Sequence, residues 1–400
     1  MEPSLSIPSP TNRSLLSLCL SAGLAGLSVA ITGPILVDIA ATHEVSVALA
    51  GQLMTLGSLA GMVGTLALSP LLDRVGRQVS LCLTLGALVV ASLLSAAAPS
   101  FPLMALAYAV MGLGGYTLLA LVLATVGDLF DERRLGGAMG WVVAGNVGVI
   151  VLGLPVVTAL AEAVGWRWGF GFYALLAIGA GLFVYNAVPA DVGSGRTQRL
   201  SYLACFTRAF RRPRVALLLA TAALNHASIY AFGTFMGAAA IETLDATTGQ
   251  MGPVFSARFL ASAVFGVLGG RYLRATDWRV TAGACIVCAV VSAWVYAYAG
   301  SLALFTALAV VHGATVGITD VGLNSLLVAS DPTSRGSVAA LRSVMDSLGG
   351  FVGPALGGAV IAGSGYPAAG WLFAVIALAA AGTIAAGSRH PEVAAEPTGV

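Results

Sequence analysis

Long apolar stretches alternate with short polar ones along the whole chain. Each apolar stretch runs to about 20 residues, the length at which an α-helix crosses a bilayer. The pattern therefore predicts twelve membrane-spanning helices, numbered here as spans 1 to 12. Their predicted bounds are 15–38, 46–69, 79–98, 102–127, 136–160, 168–188, 215–240, 250–270, 280–299, 302–329, 336–363 and 367–387.

The composition agrees with a chain that lies mostly in lipid. Of its 400 residues, 58% are hydrophobic and only 9% are charged, whereas a soluble domain carries about 25% charged residues. Most of the exterior is therefore expected to contact membrane lipid. The net charge of +2 gives no reason to expect a nucleic-acid partner. Most of the five cysteines lie in apolar stretches, where we expect packing and no disulfide framework.

The arginines indicate which side of the membrane each loop faces. With both termini in the cytoplasm, the outer loops contain only Arg167, and Arg258 and Arg342 fall inside spans. The inner segments then contain Arg13, Arg74, Arg77, Arg133, Arg134, Arg196, Arg199, Arg208, Arg211, Arg212, Arg214, Arg271, Arg274, Arg279, Arg335 and Arg389. This asymmetry predicts a multi-pass protein of the inner (plasma) membrane with both termini inside.

The two halves of the chain repeat. A shift of 200 residues superposes Asp131 on Asp331, Gly136 on Gly336, Gly153 on Gly353 and Ala159 on Ala359. The predicted organisation is an N-terminal six-helix bundle at 1–190, a cytoplasmic central loop at 191–214, and a C-terminal six-helix bundle with a short cytoplasmic tail at 215–400. Repeated halves are typical of transporters, whose substrate site lies between the halves near the membrane midplane.

The link between spans 2 and 3 carries the most specific motif. The stretch "SPLLDRVGRQ" at 69–78 resembles the loop motif of the major facilitator superfamily, G-x-L-A-D-R-x-G-R-[RK]. Asp73, Arg74, Gly76 and Arg77 match the motif, whereas Ser69 replaces its first glycine and Gln78 replaces its last basic residue. In addition, "GLPVVTALAEAVGWRWGF" at 153–170 is similar to the helix 5 pattern of the arabinose-efflux-permease-like, drug-antiporter-related branch, and "RGSVAALRSVMDSLGGFVGPALGG" at 335–358 resembles the family's helix 11.

This resemblance implies an all-α integral membrane protein with twelve transmembrane helices in two pseudo-symmetric six-helix bundles. The bundles are expected to enclose a central cavity lined mainly by spans 1, 4, 7 and 10, with spans 2, 5, 8 and 11 at its sides.

The charges of the loop motif suggest a conformational latch made of Asp73, Arg74, Gly76, Arg77 and Asp128. Asp73 can sit against the positive N-terminal end of span 11, and Arg77 can pair with Asp128 at the inner end of span 4. Gly76 permits a tight turn. Such contacts are expected to hold the outward-open state. The alternative is that the arginines only orient the chain.

Five ionisable residues fall in the middle of spans in the C-terminal half: His226, Arg258, His312, Asp320 and Asp346. At about 1.5 Å per residue, each lies roughly 13–17 Å from the nearer helix end. Groups at this depth usually face a cavity or a partner. We expect Arg258, His312, Asp320 and Asp346 to share one polar pocket. Asp346 or Asp320 is the predicted proton carrier, and His226 and His312 are further candidates for proton coupling.

Structural roles remain open for the same residues. Arg342 lies four residues before Asp346, so the two can form an ion pair on one helix face. Each histidine can be satisfied by a backbone carbonyl. Arg258 either pairs with an acid on another helix or meets an anionic substrate.

Uncharged polar residues at similar depth are candidates for the cavity wall and for substrate binding. They are Tyr116, Asn146, Tyr230 and Asn324, and Asn146 stands where the repeat places Asp346 in the second half. Many drug/proton antiporters of the superfamily carry an arginine in helix 4, four residues before a glycine. Tyr108, ahead of Gly112, stands at that position here and is a further substrate-binding candidate.

Two transport functions fit these observations. The first is alternating-access, proton-coupled export of a small organic molecule, and the second is import or facilitated passage of an anionic or polar metabolite with Arg258 as counter-charge. A receptor or enzyme would need a large extramembrane domain or a catalytic cluster, so no enzymatic activity is expected. No metal or organic cofactor is expected, because the glycine-rich stretches lack a Walker-type GK[ST]. The expected partners are a small-molecule substrate, membrane lipid and protons, with the chain acting as a monomer.

Overall fold

The computed structural model describes residues 12–72, 75–190, 192, 212–273, 277–330 and 335–389, and within them the chain is helical with no β-strand. The helices are Asn12–Ala30 and Leu36–Thr42 (span 1), Val47–Ala50 and Gln52–Leu72 (span 2), Arg77–Ala97 (span 3), Phe101–Leu129 (span 4), Glu132–Val164 (span 5), Arg167–Ala187 (span 6), Pro213–Leu244 (span 7), Thr248–Tyr272 (span 8), Trp278–Tyr298 (span 9), Leu302–Ser330 (span 10) and Arg335–Arg389 (spans 11 and 12).

Glycine and proline shape two of these spans. Span 1 unwinds between Ala30 and Leu36, where Pro34 lacks an N–H and disfavours a helical conformation at Gly33. Spans 11 and 12 are separated at Gly365, whose φ of 76° and ψ of −178° suit only glycine. In the described ranges, eleven stretches are long and apolar enough to cross a membrane, and the last contains both spans 11 and 12. The prediction of twelve spans is confirmed.

The spans pack as two bundles of six. In the first bundle, span 1 packs on spans 4, 5 and 6, span 4 on spans 2 and 3, and span 3 on span 6. In the second, span 7 packs on the helix of spans 11 and 12, span 8 on span 10, and span 9 on spans 10 and 11–12. The bundles meet where span 5 contacts span 8, where span 2 contacts the helix of spans 11 and 12, and where Leu36–Thr42 contacts span 7.

The predicted repeat is visible in the contacts between helices. Three contacts between spans 1 and 5 recur between spans 7 and 11 after the shift of 200 residues. They are Gly23–Val149 with Ala223–Gly349, Gly26–Asn146 with His226–Asp346, and Leu27–Gly153 with Ala227–Gly353. The two bundles therefore share one packing register, and the pair Gly26–Asn146 in the first bundle becomes an imidazole–carboxylate pair in the second.

Close helix crossings set the depth of the residues between them. A Cβ atom on Gly112 of span 4 would overlap the carbonyl of Gly57 in span 2, and one on Gly313 of span 10 would overlap the carbonyl of Arg258 in span 8. Small residues allow membrane helices to approach this closely. The second crossing therefore places the side chain of Arg258 beside that of His312.

The two ends of the helical assembly differ. The arginine end carries Arg13, Arg77, Arg133, Arg271, Arg279 and Arg389, and the opposite end, named the Trp166 end, carries Asp38, Trp166 and Thr248. The bundles touch at the Trp166 end, where Thr248 Oγ1 donates to Asp38 Oδ2 at 2.9 Å. Toward the arginine end, only Ala138 and Val142 are buried between residues 133 and 144 of span 5. In the described residues the bundles are therefore in contact at the Trp166 end, here called the closed end, and span 5 is exposed toward the arginine end.

Trp166 joins two loops at the closed end. Its indole Nε1 donates to Thr42 Oγ1 at 2.8 Å, and its ring centroid lies 5.9 Å from that of His43. Burial and the Arg167 guanidinium lower the pKa of His43 below its usual range, so the imidazole in this contact is neutral at neutral pH.

Candidate functional site

A cavity of about 330 Å³ lies between the two bundles. Its wall includes Gly26, Met54, Tyr116 and Asn146 from the first bundle and His226, Tyr230, Gly233, Phe255, Arg258, Phe259 and Asp320 from the second. Most of these residues lie near the middle of their spans, whereas Met54 lies two residues after the start of its helix. Spans 1, 2, 4, 5, 7, 8 and 10 all contribute, so spans 2, 5 and 8 take a larger part than expected.

Arg258 is the cation of the cavity wall. Its side chain comes from span 8, and the residue is only 4% exposed. Its Nε donates to His312 Nδ1 at 3.3 Å, and its guanidinium carbon lies 5.6 Å and 5.3 Å from the ring centroids of Phe232 and Phe259. The His312 ring stacks on Phe232 at a centroid distance of 3.7 Å. In the described part of the chain, no carboxylate lies within ion-pair distance of Arg258.

A second charged group lies nearer the arginine end, and we name it the acid cluster: His226, Asp320, Arg342 and Asp346. Arg342 bridges the two acids, with Nη2 at 3.2 Å from Asp320 Oδ1 and Nε at 3.4 Å from Asp346 Oδ2. Asp346 Oδ1 lies 3.0 Å from His226 Nδ1, although this contact lacks hydrogen-bond alignment. His226 and Asp320 reach the cavity. The cluster therefore connects the cavity with span 11.

The prediction of one shared pocket for Arg258, His312, Asp320 and Asp346 holds only in part, because Arg258 and Asp320 line the same cavity whereas His312 and Asp346 are not in its wall. Asp320 follows His312 by eight residues on span 10, which is about 12 Å along a helix. Arg258 and His312 form one group, and the two acids belong to the other. Arg342, which was considered only as a structural partner of Asp346, is the arginine that lies beside the acids.

Of the four uncharged polar candidates, three line the cavity and one does not. Tyr116, Asn146 and Tyr230 line the cavity, and Asn146 Nδ2 also donates to the Ala22 carbonyl at 2.6 Å. Asn324 is exposed one helical turn beyond Asp320 toward the arginine end and does not line the cavity.

Tyr108 lies behind the wall and not in it. The residue is 2% exposed, and its hydroxyl is 2.6 Å from Thr32 Oγ1, a lining residue of span 1. Its ring packs on Gly57, where a Cβ atom would lie 3.0 Å away. The structure therefore gives Tyr108 the role of fixing span 1 against spans 2 and 4, because its ring fills the space that Gly57 leaves.

Part of the candidate latch is formed within one bundle. Arg77 Nε donates to Asp128 Oδ2 at 2.8 Å, and Gly76 turns the chain with a φ of 83°. Both charged partners belong to the first bundle, so this pair by itself does not report how the two bundles are arranged. Asp73 and Arg74 lie outside the described residues.

We expect Asp128→Asn to lower the free energy of unfolding by about 1–3 kcal/mol, because it removes a charged acceptor from the mostly buried Arg77. The side chains of the pair are only 12% and 13% exposed. Thermal unfolding in detergent measures the effect, with Asp131→Asn, an exposed acid at the same end, as the control. Equal losses in the two variants would contradict a stabilising role for the pair.

Sequence reasoning did not identify Gly233 and Phe232, which shape the surroundings of Arg258. A cation in mid-span was visible in the sequence, but the residues that face it come from another helix and depend on helix rotation. Within the described ranges, no group of three or more His, Cys, Asp or Glu side chains is placed to hold a metal ion.

Comparison with known proteins gives a consistent result over the full length. The family profile described as Major Facilitator Superfamily matches residues 18–298 and 218–399. The chain is 29% identical over 185 residues to the uncharacterized MFS-type transporter YbcL of Bacillus subtilis, covering 46% of this chain and 47% of that protein. It is 27% identical over 206 residues to a chloramphenicol resistance protein of Streptomyces lividans, covering 52% and 53%. The chain thus spans about half the length of these two curated relatives.

A solved structure extends the similarity to the whole fold. The crystal structure of the nucleoside transporter NupG superposes with a TM-score of 0.73, covering 93% of this chain and 99% of that one, at 15% sequence identity. At this identity the similarity concerns the fold alone.

Proposed function

This chain belongs to the major facilitator superfamily, and on that premise we propose that it is a secondary active transporter that couples export of a small organic molecule to proton entry. It is a multi-pass membrane protein with a central cavity of small-molecule size. We place it in the inner (plasma) membrane with the arginine end in the cytoplasm, as the distribution of arginines indicates.

The observation that supports proton coupling is the charge balance of the acid cluster. Two carboxylates, Asp320 and Asp346, face one guanidinium, that of Arg342, so the cluster carries one negative charge in excess whenever the imidazole of His226 is unprotonated. Burial away from water disfavours an uncompensated charge. Binding of one proton, on Asp346 or on His226, removes the excess. Because the cluster reaches the cavity, a change in access from one side to the other changes the environment in which that proton is held.

The asymmetry of the two ends supports alternating access. Contact at the Trp166 end and separation toward the arginine end correspond to a state that opens on one side only. Movement of the bundles about the central cavity would give the opposite state, as expected for a transporter built from two repeated halves.

The comparisons and the cavity bear on the direction of transport. The similarity to a chloramphenicol resistance protein favours export, whereas NupG, a nucleoside transporter, shares only the fold. Import of an anionic metabolite is the second candidate function, and Arg258 favours it, because this cation lines the cavity and has no carboxylate partner among the described residues.

Flux measurements in proteoliposomes separate these functions. The purified chain is reconstituted, and uptake of labelled chloramphenicol, nucleosides, organic acids and amines is followed under imposed pH gradients. Uptake driven by an acidic lumen is the expected result, since it shows that proton and compound move in opposite directions. Uptake driven by an acidic exterior would show symport and favour the importer. A rate of uptake that does not change with the pH gradient would contradict proton coupling.

A further inference from the structure

We propose that the transported molecule is a small organic monoanion with an apolar body, and that its anionic group binds the guanidinium of Arg258. This inference deepens the proposed function and rests on the central cavity being the substrate site.

The charge of Arg258 has no counter-ion in the described part of the chain. Its hydrogen-bond partner is His312 Nδ1, and an imidazole nitrogen that accepts a hydrogen bond is unprotonated. The rings of Phe232 and Phe259 add attraction between a cation and aromatic faces but no charge. A cation that is 4% exposed in the middle of a membrane protein requires a partner, and the cavity is where one can enter.

The terminal nitrogens of Arg258 are left accessible by a glycine. A Cβ atom on Gly233 would lie 3.8 Å from Nη1 and 3.9 Å from Nη2, and both residues line the cavity. Because Gly233 has no side chain, space remains beside the two terminal nitrogens of the guanidinium, called here the fork. With Nε occupied by His312, the two terminal nitrogens remain for the ligand, and this geometry suits the two oxygens of a carboxylate.

The remainder of the cavity limits the rest of the molecule. Its volume of about 330 Å³ is at the small end for ligand pockets. Aromatic side chains of Tyr116, Tyr230, Phe255 and Phe259 line it, so the body of the ligand is expected to be apolar. His226 precedes Gly233 by seven residues, about 10 Å along span 7, which separates the acid cluster from Arg258. The carboxyl groups of Asp320 and Asp346 lie at that end and offer no free cation to a second anionic group, because Arg342 is already paired with both.

A matched set of ligands tests the charge requirement. Benzoate, 2-naphthoate and 4-phenylbutyrate are compared with the corresponding primary amides and primary amines, which keep the body and change the charge. Binding to the full chain in lipid nanodiscs is measured as a concentration-dependent rise in unfolding temperature. We expect the acids to stabilise the protein saturably and the amides and amines to have no such effect.

Two variants test the residue. Arg258→Met removes the charge at similar length, and Gly233→Leu keeps the charge but covers the fork. Each should weaken acid binding at least about tenfold. The controls are Arg279→Met, at an exposed arginine, and Gly179→Leu, where an added Cβ atom has no neighbour within 4 Å, and both should bind as the wild type does. If Arg258→Met does not fold, Gly233→Leu still decides the question.

Three results would overturn the proposal: stabilisation by the amides or amines equal to that by the acids, acid binding that survives in the folded variants, or no acid in the set that stabilises the wild type.

Failure of the proposed proton coupling gives a different result from failure of the anion site. Acids that bind through Arg258 without pH-dependent flux would overturn the coupling and leave the anion site. Proton-coupled transport of cations and of no anion would overturn the anion site and leave the proton coupling.

Discussion

We expect Asp346→Asn to abolish proton-driven accumulation of substrate in proteoliposomes while exchange of substrate across the membrane continues. Asparagine keeps the size of the side chain but does not bind or release a proton. In the variant, the carboxylate of Asp320 and the guanidinium of Arg342 balance each other, so the acid cluster has no excess negative charge to neutralise. The cluster then needs no proton, and the variant is expected to fold with unchanged or higher stability because one buried charge is removed.

The measurement compares two assays on the same vesicles. Uptake against a gradient, driven by an acidic lumen, should fall by at least about tenfold, as is typical when a group that carries a proton is removed. Counterflow of labelled against unlabelled substrate, which needs no net proton movement, should persist. The double variant Arg342→Leu with Asp346→Leu provides the control for a purely structural pair. Full proton-driven uptake in that variant would eliminate Asp346 as the carrier and leave Asp320.

The sequence predicts the membrane spans and the repeat well because both depend on local or periodic properties. Apolar length alone located twelve spans, and the shift of 200 residues that superposes Gly153 on Gly353 also superposes the contacts these glycines make. Charge in mid-span likewise located Arg258, which lines the cavity.

The pairing of the ionisable groups was not predictable in the same way. His226 meets Asp346 and Arg342 meets Asp320 across different helices, and these contacts depend on helix rotation and on the depth of each crossing. Glycines such as Gly313 set those crossings, but the sequence does not show which backbone each glycine touches. Tyr108 illustrates the limit, since its position ahead of Gly112 suggested a substrate-binding residue, whereas its hydroxyl lies 2.6 Å from Thr32 Oγ1 behind the cavity wall.

A bulky side chain at the contact between spans 1 and 7 should prevent the Trp166 end from closing. A Cβ atom on Gly237 would lie 2.8 Å from the Gly33 carbonyl oxygen and 3.2 Å from Pro34 Cα. Both are backbone atoms, so neither can turn aside as a flexible side chain would. We therefore expect Gly237→Leu to lose transport, although the variant folds, because the contact does not exist when the bundles separate at this end.

The rate of cysteine labelling at the Trp166 end measures directly whether this end closes. A cysteine placed at Thr248, in a chain whose native cysteines are replaced, lies at the closed contact with Asp38. Its labelling by a membrane-impermeant maleimide should be faster in Gly237→Leu than in the parent chain. It should be unchanged in Gly179→Leu, at a position where an added Cβ atom has no neighbour within 4 Å. Wild-type transport by Gly237→Leu, with unchanged labelling, would show that closure at this end does not depend on the approach of spans 1 and 7. Slower transport with faster labelling would instead show that the backbones of Gly33 and Gly237 must come into contact in each transport cycle for the Trp166 end to close.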